Sequence, residues 1–315
     1  MLHLRLIVPT GLRRAVLDVL DDSVGVTHVA RLPDAALRPP GDLVLCDVAR
    51  EAADELLGRL RATGLAEHGA IDVAPLELTI SAAARQAELA APGESSDAVV
   101  WESVTEITNE ESALSYTYLA FIVTATMLAA CGVVLDSSVL VVGAMVVGPE
   151  FGPLAGLCVA IVQRRGRPAL RSLDALIGGF VLAIALTILF ALMMDGLGLF
   201  TEAEFAAQRP NTAFIWQPDA LSFVVAFLAG IAGLLSLTSA KFGALVGVAI
   251  SVTTVPAAAN AAVALAYGRF AQARGSSLQL LINLLGIVLA GVLTLLVQRA
   301  AWRPARRRRA AARAD

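Results

Sequence analysis

The sequence predicts a polytopic α-helical membrane protein with a small α+β domain at its N-terminus. Hydrophobic residues make up 57% of the 315-residue chain, charged residues only 16%, and the mean hydropathy is +0.73. These values lie far outside the usual range of soluble domains. Charges are frequent as far as about Ser115 and almost vanish inside long apolar runs from Tyr116 to Gln298. Such runs are typical of membrane-spanning helices.

Residues 1–80 alternate between strand and helix patterns. Leu2 to Val8 alternates with period two and stops at Pro9, which predicts a strand. A helix over 12–22 follows, with a stripe formed by Leu12, Val16 and Leu20. Further strands are predicted over 26–32, 42–48 and 71–80, and a second helix over 51–63. The order βαββαβ is that of the ferredoxin-like split unit, which we expect to form a cytosolic domain.

The histidines raise the question of a metal site in this domain. His3, His28 and Cys46 could approach one another across the predicted sheet, but the chain has no Cys-x-x-Cys or His-x-x-x-His spacing. We therefore expect ordinary polar side chains, with neither a metal nor a cofactor. A role in regulation or assembly suits the domain better.

Residues 81–115 are predicted to connect this domain to the membrane. A short helix over 81–91 precedes a linker over 92–96. The next segment is amphipathic, with apolar residues Val100, Val104, Ile107 and Leu114 opposed by acidic residues Glu102, Glu106, Glu110 and Glu111. It would lie along the cytoplasmic membrane surface or against a neighbouring subunit. Because an acidic face gains nothing from anionic lipid, the pattern favours packing against protein.

Six spans are predicted in the membrane domain, 116–299, over 116–135, 138–162, 174–197, 220–237, 243–267 and 278–298. Four arginines follow the second span (Arg164, Arg165, Arg167 and Arg171) and seven follow the sixth, whereas the opposite loops hold only Arg209, Arg269 and Arg274. The positive-inside rule therefore predicts a cell-membrane protein with both termini in the cytoplasm. The basic tail, 300–315, is typical of a topology anchor beside a last span, so the bilayer and not nucleic acid is the expected partner.

Spans two and five differ from the others because proline and polar residues interrupt them. Span two contains Gly143, Gly148, Pro149, Glu150, Gly152 and Pro153. Span five contains Gly247, Ser251, Thr253, Thr254, Pro256 and Asn260. Each is the middle span of a three-span half, so the two halves would enter the membrane in opposite directions. Aligning Gly143 with Gly247 brings Pro153 near Pro256, which indicates a possible inverted repeat with a central binding site.

Packing alone is the competing interpretation of these segments. Gly148, Gly152 and Gly156 form a Gly-x-x-x-Gly-x-x-x-Gly ridge that lets helices approach closely. Glu150 favours a functional site, because an ionisable group at membrane depth is costly and needs a partner. Lys241 is the nearest basic candidate, although it also fits the cytoplasmic interface, and Asn260 and Asn283 would suit interhelical hydrogen bonding.

These segments resemble the bacterial and archaeal membrane proteins grouped as domain-of-unknown-function family 389. Ser138 to Pro153 is similar to that family's first signature, a Gly-Ala-Met stretch before Pro-x-x-x-Pro. The segments 230–237 and 245–256 are similar to the second, although Ala257 stands where that signature usually has a second proline. The resemblance covers roughly 100–300. It implies an integral membrane protein of undetermined function and assigns no catalytic or binding residue.

The function expected from these patterns is a transporter or channel-like protein for a small solute or ion, assembled as a homo-oligomer. Glu150 would be the proton- or cation-linked group, and Ser251, Thr253, Thr254 and Asn260 would line the pathway. The alternative is a membrane-anchored sensor or assembly platform that acts through the N-terminal domain. An enzyme is not expected, because the spans lack histidine and the chain has no Walker loop or convincing Ser-x-x-Lys pair.

Overall fold

The structure is a computed structural model of the 315-residue chain, and it describes residues 1–91, 99–238 and 254–312, with side chains as far as 300. The chain divides into two compact units. The first consists mainly of Met1–Val104. The second consists of Thr105–Leu237 together with the described residues from 254 to Ala300. Each unit has its own hydrophobic core.

The described part of the first unit is built on an antiparallel sheet. Its strands are β1 (Leu2–Val8), β2 (Val26–Leu37), β3 (Pro40–Val48) and β4 (Ala70–Pro75), in the spatial order β2-β3-β1-β4. β1 is central, and its Leu2 lies opposite Val48 of β3 on one side and Pro75 of β4 on the other. The period-two pattern of β1 places Leu2, Leu4, Leu6 and Val8 in the core.

Helices cover the apolar face of this sheet. α1 (Arg13–Asp21) connects β1 to β2, and α2 (Arg50–Ala62) with the short α3 (Leu65–His68) connects β3 to β4. Their buried side chains include Val16 and Leu20 from α1 and Leu56, Leu57 and Leu60 from α2. The predicted βαββαβ order is therefore confirmed, with α3 as an addition. α4 (Ala82–Ala90) follows, and Ala91 and Val100 also pack into this core.

The three residues considered for a metal site do not come together. Cys46 and Asp47 are neighbours on β3, so their side chains point to opposite faces of the sheet. Cys46 is fully buried in the core. His3 and His28 instead contact the Asp47 carboxylate, each through Nδ1 at 2.7 Å. The described residues contain no cluster of metal-ligating side chains.

The second unit is helical in its described part. It contains α5 (Trp101–Glu111, shared with the first unit), α6 (Tyr116–Val134), α7 (Ser138–Val147), α8 (Phe151–Gln163), α9 (Gly166–Gly196), α10 (Glu202–Ala206), α11 (Ala220–Thr238), α12 (Thr254–Ala266) and α13 (Phe270–Ala312). α12 lies in the interior, where it packs against α6 and α9.

Four of the described helices are long and apolar enough to cross a membrane: α6, α9, α11 and the part of α13 from Phe270 to Ala300. α7 and α8 form a fifth span if they act together, although they are bent by 54° at a break. The described part of α12 is apolar and has 13 residues. The six predicted spans are not confirmed, because the first half of span five, 243–253, lies outside the described residues.

The third predicted span needs a correction at its start. The sequence placed Arg167 and Arg171 in a loop, whereas α9 begins at Gly166 and includes both. With 31 residues, α9 is about 46 Å long, which exceeds the roughly 30 Å hydrocarbon core. Hydropathy detects only the apolar part of a helix, which is the part that contacts lipid. It therefore places the start of this helix too late in the chain.

α5 packs against protein within the second unit. Gln163 Nε2 at the end of α8 donates a hydrogen bond of 2.8 Å to Thr105 Oγ1 of α5. Thr108 and Ser112, one turn apart, are also buried. These contacts agree with the interpretation of this segment as a protein-packing helix.

Candidate functional site

The break between α7 and α8 consists of Gly148, Pro149 and Glu150. Gly148 ends α7 with an extended backbone, φ −65° and ψ 127°. Proline favours that conformation in the residue before it and has no N–H to continue the helix, which explains the break. Glu150 is the N-cap residue of α8, and its side chain makes no capping hydrogen bond there.

Glu150 is buried, with 2% of its surface exposed, and it contacts α12 directly. Thr254 Oγ1 donates a hydrogen bond of 2.6 Å to Glu150 Oε1, and Thr254 is itself fully buried. The two residues are 104 positions apart in the chain. They come from the two segments that the sequence predicted to be interrupted, and the structure brings these segments together.

The glycines of the ridge allow the close packing around this contact. A Cβ at Gly148 would collide with the Glu150 carboxylate and lie 3.0 Å from Val255 Cγ2. A Cβ at Gly152 would lie 2.6 Å from Glu111 Cβ. At Gly156 it would collide with Ser112 Oγ and lie 2.8 Å from Ser172 Oγ. The ridge therefore faces α5, α9 and α12.

Two further ionisable side chains lie beside the break. Tyr118 of α6 is 5% exposed, its hydroxyl is buried without a hydrogen-bond partner among the described residues, and the charge of Glu150 acts on it. Glu111 of α5 packs its Cβ and backbone carbonyl against Gly152, and partial burial raises the pKa of its carboxyl group. Together with Glu150 and Thr254, these groups form a polar cluster within a largely apolar packing region.

Pro153 lies in the first turn of α8, of which it is the third residue. The N–H groups of a first helical turn have no acceptor within the helix, so proline at this point costs no hydrogen bond. Pro153 therefore helps to start α8 and does not bend it, which moves the predicted interruption to the residues before the proline.

Asn260 lies in a second polar cluster, farther along α12. It is fully buried; its Nδ2 donates to Ser276 Oγ at 2.6 Å, and its Oδ1 accepts from Arg209 Nη1 at 3.1 Å. Arg209 belongs to the connection between α10 and α11, yet it is only 6% exposed. Its guanidinium also lies 4.2 Å above the Phe205 ring centroid.

Buried polar residues continue along one face of α13. Ser276, Gln279 and Asn283 are spaced by three and four residues, and all are fully buried. Gln279 Nε2 donates to Asn283 Oδ1 at 3.4 Å. This bond joins residues four apart in one helix, and the interhelical role that the sequence indicated for Asn283 stays a prediction. The face as a whole still gives the interior of this unit a polar stripe.

Several residues that the sequence predicted for the site do not lie at the break or in the two polar clusters described above. Gly143 is inside α7, five residues before the break, and a Cβ there would have no described heavy atom within 4 Å. Lys241, Gly247, Ser251 and Thr253 lie outside the described residues.

Sequence reasoning did not single out Tyr118, Ser276 or Gln279, and it used Arg209 only for topology. Tyr118 and Ser276 lie near the ends of apolar runs, where hydroxyl groups are common at the membrane interface. A signal was present in the spacing of Ser276, Gln279 and Asn283, which repeats with the helical period. Arg209 had no comparable signal for burial in the sequence. Its neighbours Gln208 and Pro210 are exposed, so nothing beside it in the chain indicates a buried side chain.

Comparison with known proteins finds the resemblance that the motifs indicated. The family described as "Domain of unknown function (DUF389)" matches residues 145–289, so the predicted resemblance is confirmed. An uncharacterised protein of Methanocaldococcus jannaschii is 26% identical over 199 residues, which cover 63% of this chain and 59% of that relative. No solved structure matches the chain.

The class of the protein follows from the fold and the family together. Its several apolar helices indicate a multi-pass membrane protein. The matched region, 145–289, begins just before the break at Gly148 and includes Glu150, Thr254, Asn260 and the polar face of α13. The family description assigns no activity, so the function must be argued from the site.

Proposed function

We propose that this protein is a transporter or channel-like protein for a small solute or ion, with its site between the α7–α8 break and α12. The observation that carries the proposal is the buried hydrogen bond between Glu150 and Thr254. An ionisable group inside a membrane domain is costly, by about 2.5–3.5 kcal/mol on insertion scales, and such groups commonly mark ion pathways and proton relays.

The chemistry of the contact supports this role. A threonine hydroxyl both donates and accepts, so Thr254 can remain bonded to Glu150 whether the carboxyl group is charged or protonated. The side chain can therefore take up and release a proton, or exchange a proton for a cation, without losing this neighbour. Tyr118 and Glu111 supply further polar groups beside it.

The two segments that flank the site agree with the inverted repeat that the sequence predicts. Glu150 comes from the middle span of the first predicted half and Thr254 from the middle span of the second, and the two side chains form a hydrogen bond. Interrupted helices at matching positions of two halves are characteristic of transporters with a central site. Irregular backbone at membrane depth, such as that at Gly148–Glu150, is tolerated where it is enclosed by protein or lines a cavity.

Location and assembly are part of the proposal. We place the protein in the cell membrane, with both termini in the cytoplasm, on the basis of the arginine distribution. Assembly as a homo-oligomer stays a prediction. Reporter fusions after residue 1, near Arg165 and after Arg313 should give cytoplasmic signals, and fusions near Arg209 and Arg274 external ones. A cytoplasmic signal near Arg209 would contradict this orientation.

The transport proposal is tested in liposomes that contain the purified protein and a trapped pH-sensitive dye. Imposed gradients of sodium, potassium, chloride or inorganic phosphate should drive a proton flux above that of protein-free liposomes. Glu150→Gln keeps the side-chain shape, so it should abolish this flux while the melting temperature stays near that of the wild type. Glu106→Gln, an exposed glutamate of α5, is the matched control and should retain the flux. Equal fluxes in the two variants would exclude Glu150 from the pathway.

A membrane-anchored sensor or assembly platform is the second candidate. The N-terminal unit leaves large apolar side chains exposed, among them Leu37 at 86% and Ile80 at 88%. Exposed apolar groups favour contact with another protein surface. Under this alternative, Leu37→Glu and Ile80→Glu would reduce self-association in gel filtration. Glu150→Gln would leave self-association unchanged.

A further inference from the structure

Arg209 is a buried cation in the connection between α10 and α11. Its chain neighbours are exposed, but its side chain points inward between the end of α6 and the middle of α12. The surrounding connection is anchored by Phe205 and Ile215, which are 0% and 1% exposed. The position of Arg209 is therefore held by packing on both sides of it.

The hydrogen bonds of Arg209 use one of its three nitrogens. Nη1 donates to Val133 O at 3.3 Å and to Asn260 Oδ1 at 3.1 Å. Nε and Nη2, which carry the remaining three N–H groups of the guanidinium, have no acceptor among the described residues. These two nitrogens form one edge of the planar group, and the edge matches the two oxygens of a carboxylate or a phosphate.

No described carboxylate forms an ion pair with Arg209. Asp136 is the acidic group that acts on it, but the Asp136 carboxylate accepts hydrogen bonds from Thr212 Oγ1 at 2.8 Å and from Asn211 Nδ2 at 3.1 Å. The Phe205 ring covers a face of the guanidinium and leaves its edges available. A purely structural role thus explains the contacts of the guanidinium face and of Nη1. It does not explain the Nε–Nη2 edge.

A second arginine adds positive charge near Arg209. Burial and the nearby charge of Arg269 lower the pKa of Arg209, whereas Asp136 raises it. Arg269 Nη2 bonds Glu202 Oε1 at 3.3 Å, but its Nε is buried without an acceptor among the described residues. Two guanidinium groups whose charges act on each other, and which each keep donors without an acceptor among the described residues, favour a bound anion.

We propose that the free Nε–Nη2 edge of Arg209, assisted by Arg269, binds a small oxyanion: a carboxylate, a sulfate or a phosphate group. The site is distinct from the Glu150–Thr254 contact. Asn260 connects it to the polar face of α13 through Ser276. The inference goes beyond the proposed function, because it concerns binding and stands or falls independently of flux.

The test uses the full-length protein in detergent and measures both thermal unfolding and binding by calorimetry. Inorganic phosphate, sulfate and acetate are compared with chloride at constant ionic strength, and dioctanoyl phosphatidic acid is the probe for a lipid headgroup. Arg209→Lys keeps the charge but loses the paired donors, and Arg209→Gln removes the charge. Arg274→Gln, which changes an exposed arginine of α13, is the matched control.

We expect at least one oxyanion to raise the melting temperature of the wild type and of Arg274→Gln. Arg209→Lys should bind that probe roughly tenfold more weakly or worse, because a hydrogen bond to a charged group is lost. A response to phosphate would identify the ligand as a free anion. A response to phosphatidic acid alone would identify it as a lipid headgroup. No response to any probe, or unchanged affinity in Arg209→Lys, would overturn the proposal. If Arg209→Gln does not fold, Arg209→Lys alone decides.

Discussion

Two carboxylates, Asp42 in the first unit and Glu150 in the second, are almost completely removed from solvent but have different surroundings. Asp42 lies near the surface of its unit, beneath two arginine side chains that cover it. Arg13 Nη2 and Arg31 Nε donate to it at 2.7 and 2.6 Å, and the backbone N of Asp34 donates at 3.0 Å. The Asp34 bond and the two arginines lower the pKa of Asp42 to about 2.

Glu150 lies inside a helical unit and bonds the neutral hydroxyl of Thr254. Two arginines fix Asp42 in one charge state at every physiological pH, which suits a group that holds a sheet and its loops together. A hydroxyl accommodates both states of a carboxyl group. The comparison shows that burial alone does not identify a functional carboxylate, whereas the chemistry of its neighbours does.

The largest expected effect comes from neutralising each carboxylate with its amide. Asp42→Asn leaves two arginines facing an amide, so a fragment spanning 1–104 should lose the dispersed amide resonances that we expect of the wild-type fragment. Glu150→Gln should instead leave the melting temperature of the full chain nearly unchanged while flux is lost. A well-dispersed spectrum of the Asp42→Asn fragment would remove the contrast between the two sites.

The next effect concerns the glycine ridge beside Glu150. Gly152→Ala places a Cβ 2.6 Å from Glu111 Cβ, and such overpacking costs about 1–3 kcal/mol in the free energy of unfolding. Gly143→Ala is the control, because it meets no described atom within 4 Å and gains up to about 1 kcal/mol from helix propensity. In detergent, the melting temperature should therefore fall for Gly152→Ala and rise for Gly143→Ala. Shifts of the same sign in the two variants would contradict the packing described for Gly152.

A smaller effect is expected at Thr254. Thr254→Val keeps the shape but removes the hydroxyl bonded to Glu150, and hydrogen bonds inside membrane proteins contribute about 0.6–1.7 kcal/mol. Flux should fall, though less than in Glu150→Gln, and Thr254→Ser should restore it. Thr294→Val is the control, since among the described residues Thr294 bonds only the Ala290 carbonyl of its own helix. If Thr254→Val and Thr294→Val give equal fluxes, the Thr254 hydroxyl has no part in the pathway.

The smallest expected effect concerns the stability of the first unit, which should change in acid and not at neutral pH. The pKa of Asp42 is about 2 in the folded state against an ordinary 3.8. Its contribution to stability is therefore complete above about pH 4 and is lost as the pH falls toward 2. The pKa of Asp47 is also lowered, by hydrogen bonds from His3 and His28 that outweigh its burial, and acts in the same direction. Chemical denaturation of the 1–104 fragment between pH 6 and pH 2 should show this loss, and His68→Gln, an exposed site, should not alter it.

Local patterns determined much of the fold from the sequence alone. The alternation of Leu2, Leu4 and Leu6 places these residues in the core whatever the partner strands are, because the side chains of a strand alternate between faces. Pro149 likewise favours an interrupted helix just before Glu150, since proline has no N–H to continue a helix. The family signature is carried by this same stretch, which explains why the resemblance was detectable.

Only the tertiary structure decided which distant polar groups meet. The bond between Glu150 and Thr254 joins residues 104 positions apart, and no local period encodes that pairing. Arg209 shows the limit most clearly: its sequence context is that of an exposed loop, yet the packing of Phe205 and Ile215 carries it inward to Asn260. Local propensities specify helices and strands, whereas burial of a particular charge depends on how separate elements pack, and that information is distributed over the whole unit.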